Sequence, residues 1–408
     1  MAIKYLKPNT LKNKTVLLRV DVNVPINEST GKIGDDFRIT AIVPTIKMLQ
    51  KGGNRIILIG HLGRPKGRDP KLSLKPVAKK LADLLEYKFL ETHHPLPSYP
   101  INHLIFYTGN IEADSHTQQL KLVGPKDIIF LENIRFYKGE EEEDKYLAKK
   151  LAELGDVYVN DAFSVDHHPS VSVSVLPKLL PSYAGPVLER EITYLSQLQG
   201  KVKSPFVLMM GGIKISEKVH TLEYLGKRAD RILLGGGLSS LVFKSKGLEV
   251  GISHVEESAE KTAWMISKNY KDKLVLPVDV VVANKDMDKQ SIRVCTPYEV
   301  GKREQILDVG PKTILIFANE LKAAKTIVWN GPLGYFEKPP FHTGTISLAR
   351  LIGGMGKGRA FTVVGGGETE EAVRACHQFD HIDHVSTGGG AMMEFLAGKK
   401  LPGLEALK

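Results

Sequence analysis

The chain is expected to fold as two α/β domains, each a doubly wound parallel sheet flanked by helices. Three observations predict this. Short apolar runs recur along the sequence and alternate with amphipathic stretches of helical period. A length of 408 residues exceeds what one compact core holds and suits two domains. The runs also end in two styles, polar in the first half and glycine-rich in the second.

In the first half, TVLLRV leads into Asp21 and Asn23, and RIILIG into His61 and Arg64. DIIFL leads into Arg135, and VYVN into Asp161 and Phe163. Continuous apolar runs of this kind suit strands buried on both faces. Between them, FRITAIVPTIKMLQK and SLKPVAKKLADLLEY space their apolar residues near 3.6 and predict helices; Gly52 and Gly53 stop the first. The acidic run Glu140–Asp144 is read as the solvated start of another helix, EEEEDKYLAKKLAEL. Pro169, Pro177, Pro181 and Pro186 then break the pattern and predict loop and short elements leading to a linker. EREITYLSQLQG is expected to be the helix that enters the second domain. The predicted organisation is a domain over 1–184, a second over 185–395, and an amphipathic tail, 396–408, that stays with the second domain or reaches back to the first.

In the second half, FVLMM ends in Gly211 and Gly212, RILL in Gly235–Gly237, and TIVWN in Gly331 and Pro332. FTVV ends in Gly365, Gly366 and Gly367, and HVST in Gly388, Gly389 and Gly390. A strand followed by glycine and a helix start converges backbone N–H groups on one spot, with the positive end of the helix dipole behind them. Ligands of open parallel sheets lie beyond the carboxyl ends of the strands. The second half is therefore expected to hold a polyphosphate by backbone. Lys214 and Lys218 follow the first glycine turn and are placed to reach one anion, with Ser216 read as a helix N-cap. The first half offers Arg38, His61, Arg64 and Arg135, with Asp21 and Asn23 for hydroxyls. Arginine forks suit carboxylate and phosphate, so these residues describe a small, multiply anionic, hydroxylated ligand.

Composition excludes several classes. The net charge of +10 is spread evenly: residues 1–190 hold 27 Lys+Arg against 22 Asp+Glu, and the rest 29 against 24. No basic run is interleaved with aromatics, so small anionic ligands are expected rather than nucleic acid. No window is long and apolar enough for a bilayer, and MAIKYLKPNT is not a secretory signal. Two distant cysteines, Cys295 and Cys376, give no disulfide framework and no metal spacing. A cytoplasmic monomer is the expectation. No G-x-x-x-x-G-K-[ST] occurs, and no G-x-G-x-x-G follows a strand. No Ser-His-Asp set is apparent. Phosphoryl transfer between oxygen anions needs positioning and charge neutralisation more than a base.

Taken in order, RVDVNVP, GHLGRP, LENIRF, VYVNDAF, GGIKISEK, LPVDVVVANK, WNGPLGYFE, VVGGGET and HVSTGGGA make the chain resemble phosphoglycerate kinase over essentially its whole length. The resemblance implies two Rossmann-like domains joined by a hinge, and phosphoryl transfer between 1,3-bisphosphoglycerate/ADP and 3-phosphoglycerate/ATP with Mg2+. It implies that Asp21, Asn23, Arg38, His61, Arg64 and Arg135 bind the glycerate, with Arg38 near the transferring group. Lys214 would neutralise the moving phosphoryl and Lys218 the nucleotide phosphates. Gly211, Gly212, Gly310, Asn330, Pro332 and Gly334 would line the nucleotide pocket, and Glu337 would hold the ribose. Gly365, Gly366, Gly367, Thr369 and Gly389 would supply the phosphate loops, with Gly366 and Gly389 at the reacting phosphoryl.

Three positions depart from the family pattern. Glu368 stands where an aspartate usually serves magnesium, and one more methylene still reaches a metal or its water shell. Gly60 replaces a serine. His168, in SVDHHPS, replaces an arginine that grips the substrate phosphate, and no arginine lies between Arg135 and Arg190 to substitute. His168 is expected to be a weaker, pH-dependent partner, with Asp166 pairing to it. That departure leaves two alternatives: a nucleotide-binding homologue with weakened catalysis, or a kinase for another small anionic acid.

Overall fold

The computed structural model describes residues 2–27, 30–93, 102–120, 123–214, 216 and 218–408. The chain forms two compact units, Met1–Ile192 with Lys400–Lys408, and Thr193–Lys399.

The first unit is built on seven parallel strands: β1 (Thr15–Val20), β2 (Arg55–Ile59), β3 (Lys88–Thr92), β4 (His103–Tyr107), β5 (Ile128–Leu131), β6 (Val157–Asp161) and β7 (Ser182–Ala184). Their order across the sheet is β3-β4-β5-β2-β1-β6-β7. Helices α1 (Phe37–Lys51), α2 (Lys75–Leu85), α3 (Asp114–Leu120), α4 (Lys145–Ala152) and α5 (Pro186–Gln199) connect or follow them. The periodic sequence explains α2 directly: Val77, Ala78, Leu81, Ala82 and Leu85 are buried on one face, and Pro76 sits in the first turn, where its missing N–H costs nothing. The central strands β5, β2, β1 and β6 are neighbours, so the residues that follow them emerge along one edge of the sheet.

The second unit has six parallel strands, β8 (Phe206–Met210), β9 (Arg231–Leu234), β10 (Leu274–Val275), β14 (Thr326–Asn330), β15 (Phe361–Gly365) and β16 (His384–Ser386), in the order β10-β9-β8-β14-β15-β16. The chain winds outward from β8 on one side and from β14 on the other. The crevice between these two strands is thus the topological switch point, where such sheets bind ligands. Between β10 and β14 lie β11 (Val280–Ala283), β12 (Arg293–Cys295) and β13 (Gln305–Val309), which form an antiparallel ribbon that no periodicity in the sequence announced. The helices here are α6 (Val219–Gly226), α7 (Gly236–Ser245), α8 (Glu260–Asn269), α9 (Pro311–Ala323), α10 (Thr343–Met355), α11 (Gly367–Ala375) and α12 (Gly390–Leu396). A last short helix, α13 (Pro402–Ala406), belongs to the first unit.

Two local expectations are corrected. The acidic run is only in part the solvated start of a helix: Glu141–Glu143 are exposed and Asp144 caps α4, which begins at Lys145, but Glu140 is buried. Its carboxylate accepts from the Ser172 N–H and hydroxyl, so this one residue of the run turns inward to meet a partner 32 positions along the chain. Ser216 is not an N-cap either. Helix α6 starts at Val219 after Lys218, with no side-chain cap, while the Ser216 N–H donates to Glu256.

Asp166 departs from its expected partner too. It is fully buried, and its Oδ1 accepts from Asn160 Nδ2 at 2.7 Å, while its backbone carbonyl accepts from the Gly403 N–H in the tail. It therefore does not pair with His168. Burial raises its pKa from 3.8 to about 7. The folded state holds this proton more tightly than the unfolded chain, so stability falls as pH rises from 3.8 through about 7. Asp166→Asn is expected to raise stability above neutrality by about 1–3 kcal/mol and to flatten that pH dependence. Urea melts at acid and alkaline pH check this; an unchanged pH slope refutes it.

Candidate functional site

The carboxyl edge of the first sheet gathers the predicted cations. Asp21 follows β1, and its Oδ2 accepts from Arg38 Nη1 at 2.7 Å and from the Ser164 hydroxyl at 2.6 Å. Asp21 thus orients Arg38, which leaves helix α1 half-buried. The Asn23 side-chain oxygen accepts from the Gly63 N–H at 2.9 Å and ties the β1 turn to the turn after β2. Arg135 Nη1 donates to the Gly63 carbonyl at 2.7 Å and its Nε faces Glu141 at 3.4 Å. Arg64 is exposed and lies close enough to Arg135 for mutual repulsion. His61 is buried, 3% exposed, against Arg19. His168 is exposed after the short turn Phe163–Val165; its ring lies 3.9 Å from that of His167, and its charge reaches His61. The structure therefore brings Asp21, Asn23, Arg38, His61, Arg64, Arg135 and His168 to one sheet edge. Ser164 and Arg19 were not foreseen. The signal for Arg19 was present, a lone cation inside an apolar strand.

In the second unit the glycines let backbones touch at the switch point. Gly211 N–H donates to Asn330 O and Gly212 N–H to Pro332 O. A Cβ on Gly211 would sit 2.0 Å from the Pro332 oxygen, so no other residue fits there. Lys218 Nζ reaches back to the Gly211 carbonyl at 2.5 Å, which places its charge at the ends of β8 and β14. Lys214 stands exposed beyond the same turn. The Gly331–Pro332 turn is pinned from behind: Trp329 Nε1 donates to the Gly331 oxygen, and the Gly331 N–H donates to Thr369 Oγ1. Thr369 is thus buried, with its hydroxyl oxygen engaged in pinning the turn. Gly366 precedes α11 with φ +94°, a conformation that favours glycine and sets the loop's amides ahead of the helix. Gly365 and Gly367 flank it, and Gly389 precedes α12 in the same manner.

Beside these turns lies a cavity of about 350 Å³ lined by Gly212, Gly236, Gly237, Pro332, Gly334, Glu337 and Glu368, with Met287, Leu307, Asp308 and Tyr335. Its far wall is the unforeseen ribbon. Gly310 does not line it: that glycine packs on Asp279 and begins α9, and Asp308 and Val309 form the wall instead. Asp308 is buried and accepts from the Val309 N–H and from the Gly344 N–H in the first turn of α10, while the Tyr335 N–H donates to the Leu307 carbonyl and holds the segment between Gly334 and Glu337; burial raises the Asp308 pKa to about 7. The Glu368 carboxyl is also raised, by burial first and then by Glu337, with Lys218 opposing.

A glycine-walled cavity at a switch point, with lysine and carboxylates at its rim, defines an α/β protein suited to handling a nucleotide's phosphates. A family model described as phosphoglycerate kinase matches residues 6–399. The phosphoglycerate kinase of Deinococcus radiodurans is 40% identical over 400 residues, spanning 97% of this chain and 92% of that protein. Phosphoglycerate kinase 3, cytosolic, of Arabidopsis thaliana is 40% identical over 411 residues, spanning 100% and 98%. Among solved structures, phosphoglycerate kinase from Coxiella burnetii matches with a TM-score of 0.79 at 35% identity, covering 99% of this chain and 98% of that one. Phosphoglycerate kinase from Pyrococcus horikoshii OT3 matches at 0.84 and 29%, with the same coverage. The chain belongs to the phosphoglycerate kinase family.

Proposed function

We propose that this chain moves a phosphoryl group between 1,3-bisphosphoglycerate and ADP, giving 3-phosphoglycerate and ATP. The basic strand ends of the first unit hold the glycerate, and the glycine-walled cavity of the second holds the nucleotide. One observation carries this reading: Arg38, His61, Arg64 and Arg135 converge on one sheet edge although they come from separate stretches of sequence.

The chemistry matches the residues. An oxygen of the ADP β-phosphate attacks phosphorus, and the bond to the carboxylate oxygen breaks. Both oxygens are anionic, so no proton moves and no base is required. Charge neutralisation and alignment do the catalysis. Arg38, steadied by Asp21, serves the acyl phosphate of the glycerate on the first unit, and Lys214 serves the terminal phosphate of the nucleotide on the second. Arg64, Arg135 and His168 take the distal phosphate, and Asn23 keeps the loops in register. Lys218, Gly366, Gly389 and Thr369 hold the nucleotide phosphates. Glu337 faces the ribose, and Pro332 and Gly334 shape the wall behind it.

The residues present also fit magnesium. Glu368 lies in the first turn of α11 on the cavity wall, and its carboxyl is destabilised as an anion by burial and by Glu337. A divalent cation relieves both effects. Glu368 and phosphate oxygens would hold it, and the ion would screen the phosphates' charge. Glu368→Gln is expected to raise the Mg2+ concentration for half-maximal rate by about tenfold. A magnesium titration of both forms checks it, and superimposed curves refute it.

The deciding experiment is a coupled assay of 3-phosphoglycerate-dependent ATP turnover. Saturable turnover supports the reading. Nucleotide binding without turnover at saturating acid supports a catalytically weakened homologue, to which His168 lends the one specific argument. Turnover with a different acid in a panel supports the other alternative. No helix among the described residues is long and apolar enough to cross a membrane. With one relative named cytosolic, we place the enzyme in the cytoplasm, acting as a monomer on small molecules.

A further inference from the structure

Arg19 lies within the apolar strand β1 and is 2% exposed. Burying a guanidinium costs several kcal/mol unless its arms are paired. Each nitrogen here has a partner inside the protein: Nε donates to Ser172 Oγ at 3.0 Å, Nη1 to the Val20 carbonyl at 2.6 Å, and Nη2 to His61 Nδ1 at 3.3 Å. The counter-charge is Glu140, also buried, reached through Ser172, whose hydroxyl donates to Oε1 at 2.6 Å and whose N–H donates to Oε2 at 3.0 Å. A buried pair of this kind is weak support for stability, because an apolar pair of similar volume often does as well. The contact with His61 is what an apolar pair would not supply.

An arginine only donates. The contact therefore makes Nδ1 of His61 an acceptor and leaves the ring's proton on Nε2. We propose that Arg19 is a positioning residue that holds His61 as the neutral Nε2–H tautomer, so that His61 offers the glycerate an uncharged hydrogen-bond donor. The surroundings agree from every side. Burial, then Arg19 from β1, Arg135 from the turn after β5, Arg38 from α1 and His168 from the turn after β6 keep the ring well below its ordinary pKa of 6.5. The edge thus divides its work. The arginines supply charge, and His61 reads an oxygen without adding to their repulsion. The ligand named here rests on the function proposed above, whereas the tautomer does not.

The test is the ring nitrogen-15 spectrum of the full chain from about pH 8 to about pH 5.5. His61 is expected to show a protonated Nε2 and a bare Nδ1 throughout the neutral range. In Arg19→Lys, a point charge on a shorter reach does not keep all three contacts. There the tautomers should mix, protonation should move to higher pH, and KM for 3-phosphoglycerate should rise about fivefold with the nucleotide KM unchanged. Ser172→Ala breaks the link to Glu140 but not the contact with His61; it should lower the melting temperature and leave the His61 spectrum as in the wild type. A wild-type His61 that is an imidazolium near neutrality, or protonated at Nδ1, overturns the inference. So does an Arg19→Lys variant with unaltered tautomer and KM. If Arg19→Lys does not fold, the wild-type spectrum decides alone. The expected spectrum without 3-phosphoglycerate turnover would sink the proposed function and leave the tautomer standing.

Discussion

Arg38→Met is expected to lower kcat by about 10²–10³ while the nucleotide KM stays within about twofold. The reason is local. Arg38 is held by one face of Asp21, and Asp21 is held in turn by Ser164 and the Asn23 N–H. Removing the guanidinium takes charge from the reacting edge, yet leaves Asp21 with two partners, so the fold should survive. The ion pair is partly exposed, at 26% and 9% of the side chains, which limits its share in stability. Arg38→Lys should recover only part of the rate, because an ammonium keeps the charge but not the planar fork. Steady-state kinetics with a melting curve checks both parts. A kcat within about threefold of wild type would remove Arg38 from the transfer step.

His168→Arg is expected to improve the enzyme. An imidazole pairs with phosphate by charge only when protonated, whereas an arginine is always charged and presents a planar fork. A charge-assisted bond to phosphate contributes about 1.5–3 kcal/mol, so KM for 3-phosphoglycerate should fall about tenfold to a hundredfold. The geometry favours an exposed contact: His168 stands at the surface beyond the Phe163–Val165 turn and is within electrostatic reach of His61. Its supporting partner is not Asp166, which is buried beneath the turn. Equal KM values for the two forms at about pH 7.5 would show that the phosphate is gripped without this position.

The sequence foretold what local pattern controls. Parallel strands buried on both faces must be continuous apolar runs, so β1, β2, β5, β6, β8, β9, β14, β15 and β16 stood out, and with them the residues at their ends. The glycines at Gly211 and Gly366 were legible because their backbone positions tolerate little else. What stayed hidden depends on long-range partners. Arg19 meets Ser172 across 153 positions, and Ser172 meets Glu140 across 32. A carboxylate in a run of charges looks solvated until its partner is known, which is why Glu140 was misplaced. The Ser216 cap failed for a related reason: its N–H goes to Glu256, a contact 40 positions away. The β11–β13 ribbon was missed because its three strands are only three to five residues long and their antiparallel pairing is set by partners up to about thirty positions apart, which no local period reports. Met287 and Asp308 were missed along with it.

The tail has a consequence for biosynthesis. Residues 400–408 complete the unit that residues 1–192 begin, and the whole of 193–399 intervenes. On the ribosome the second unit is therefore fully made before the last piece of the first appears. Domains fold as units during synthesis, generally the earlier ones first. Here the earlier unit waits, with Asp166 and the Val171–Val175 turn uncovered until Gly403 and its neighbours arrive. The half that begins the chain is the half that finishes last.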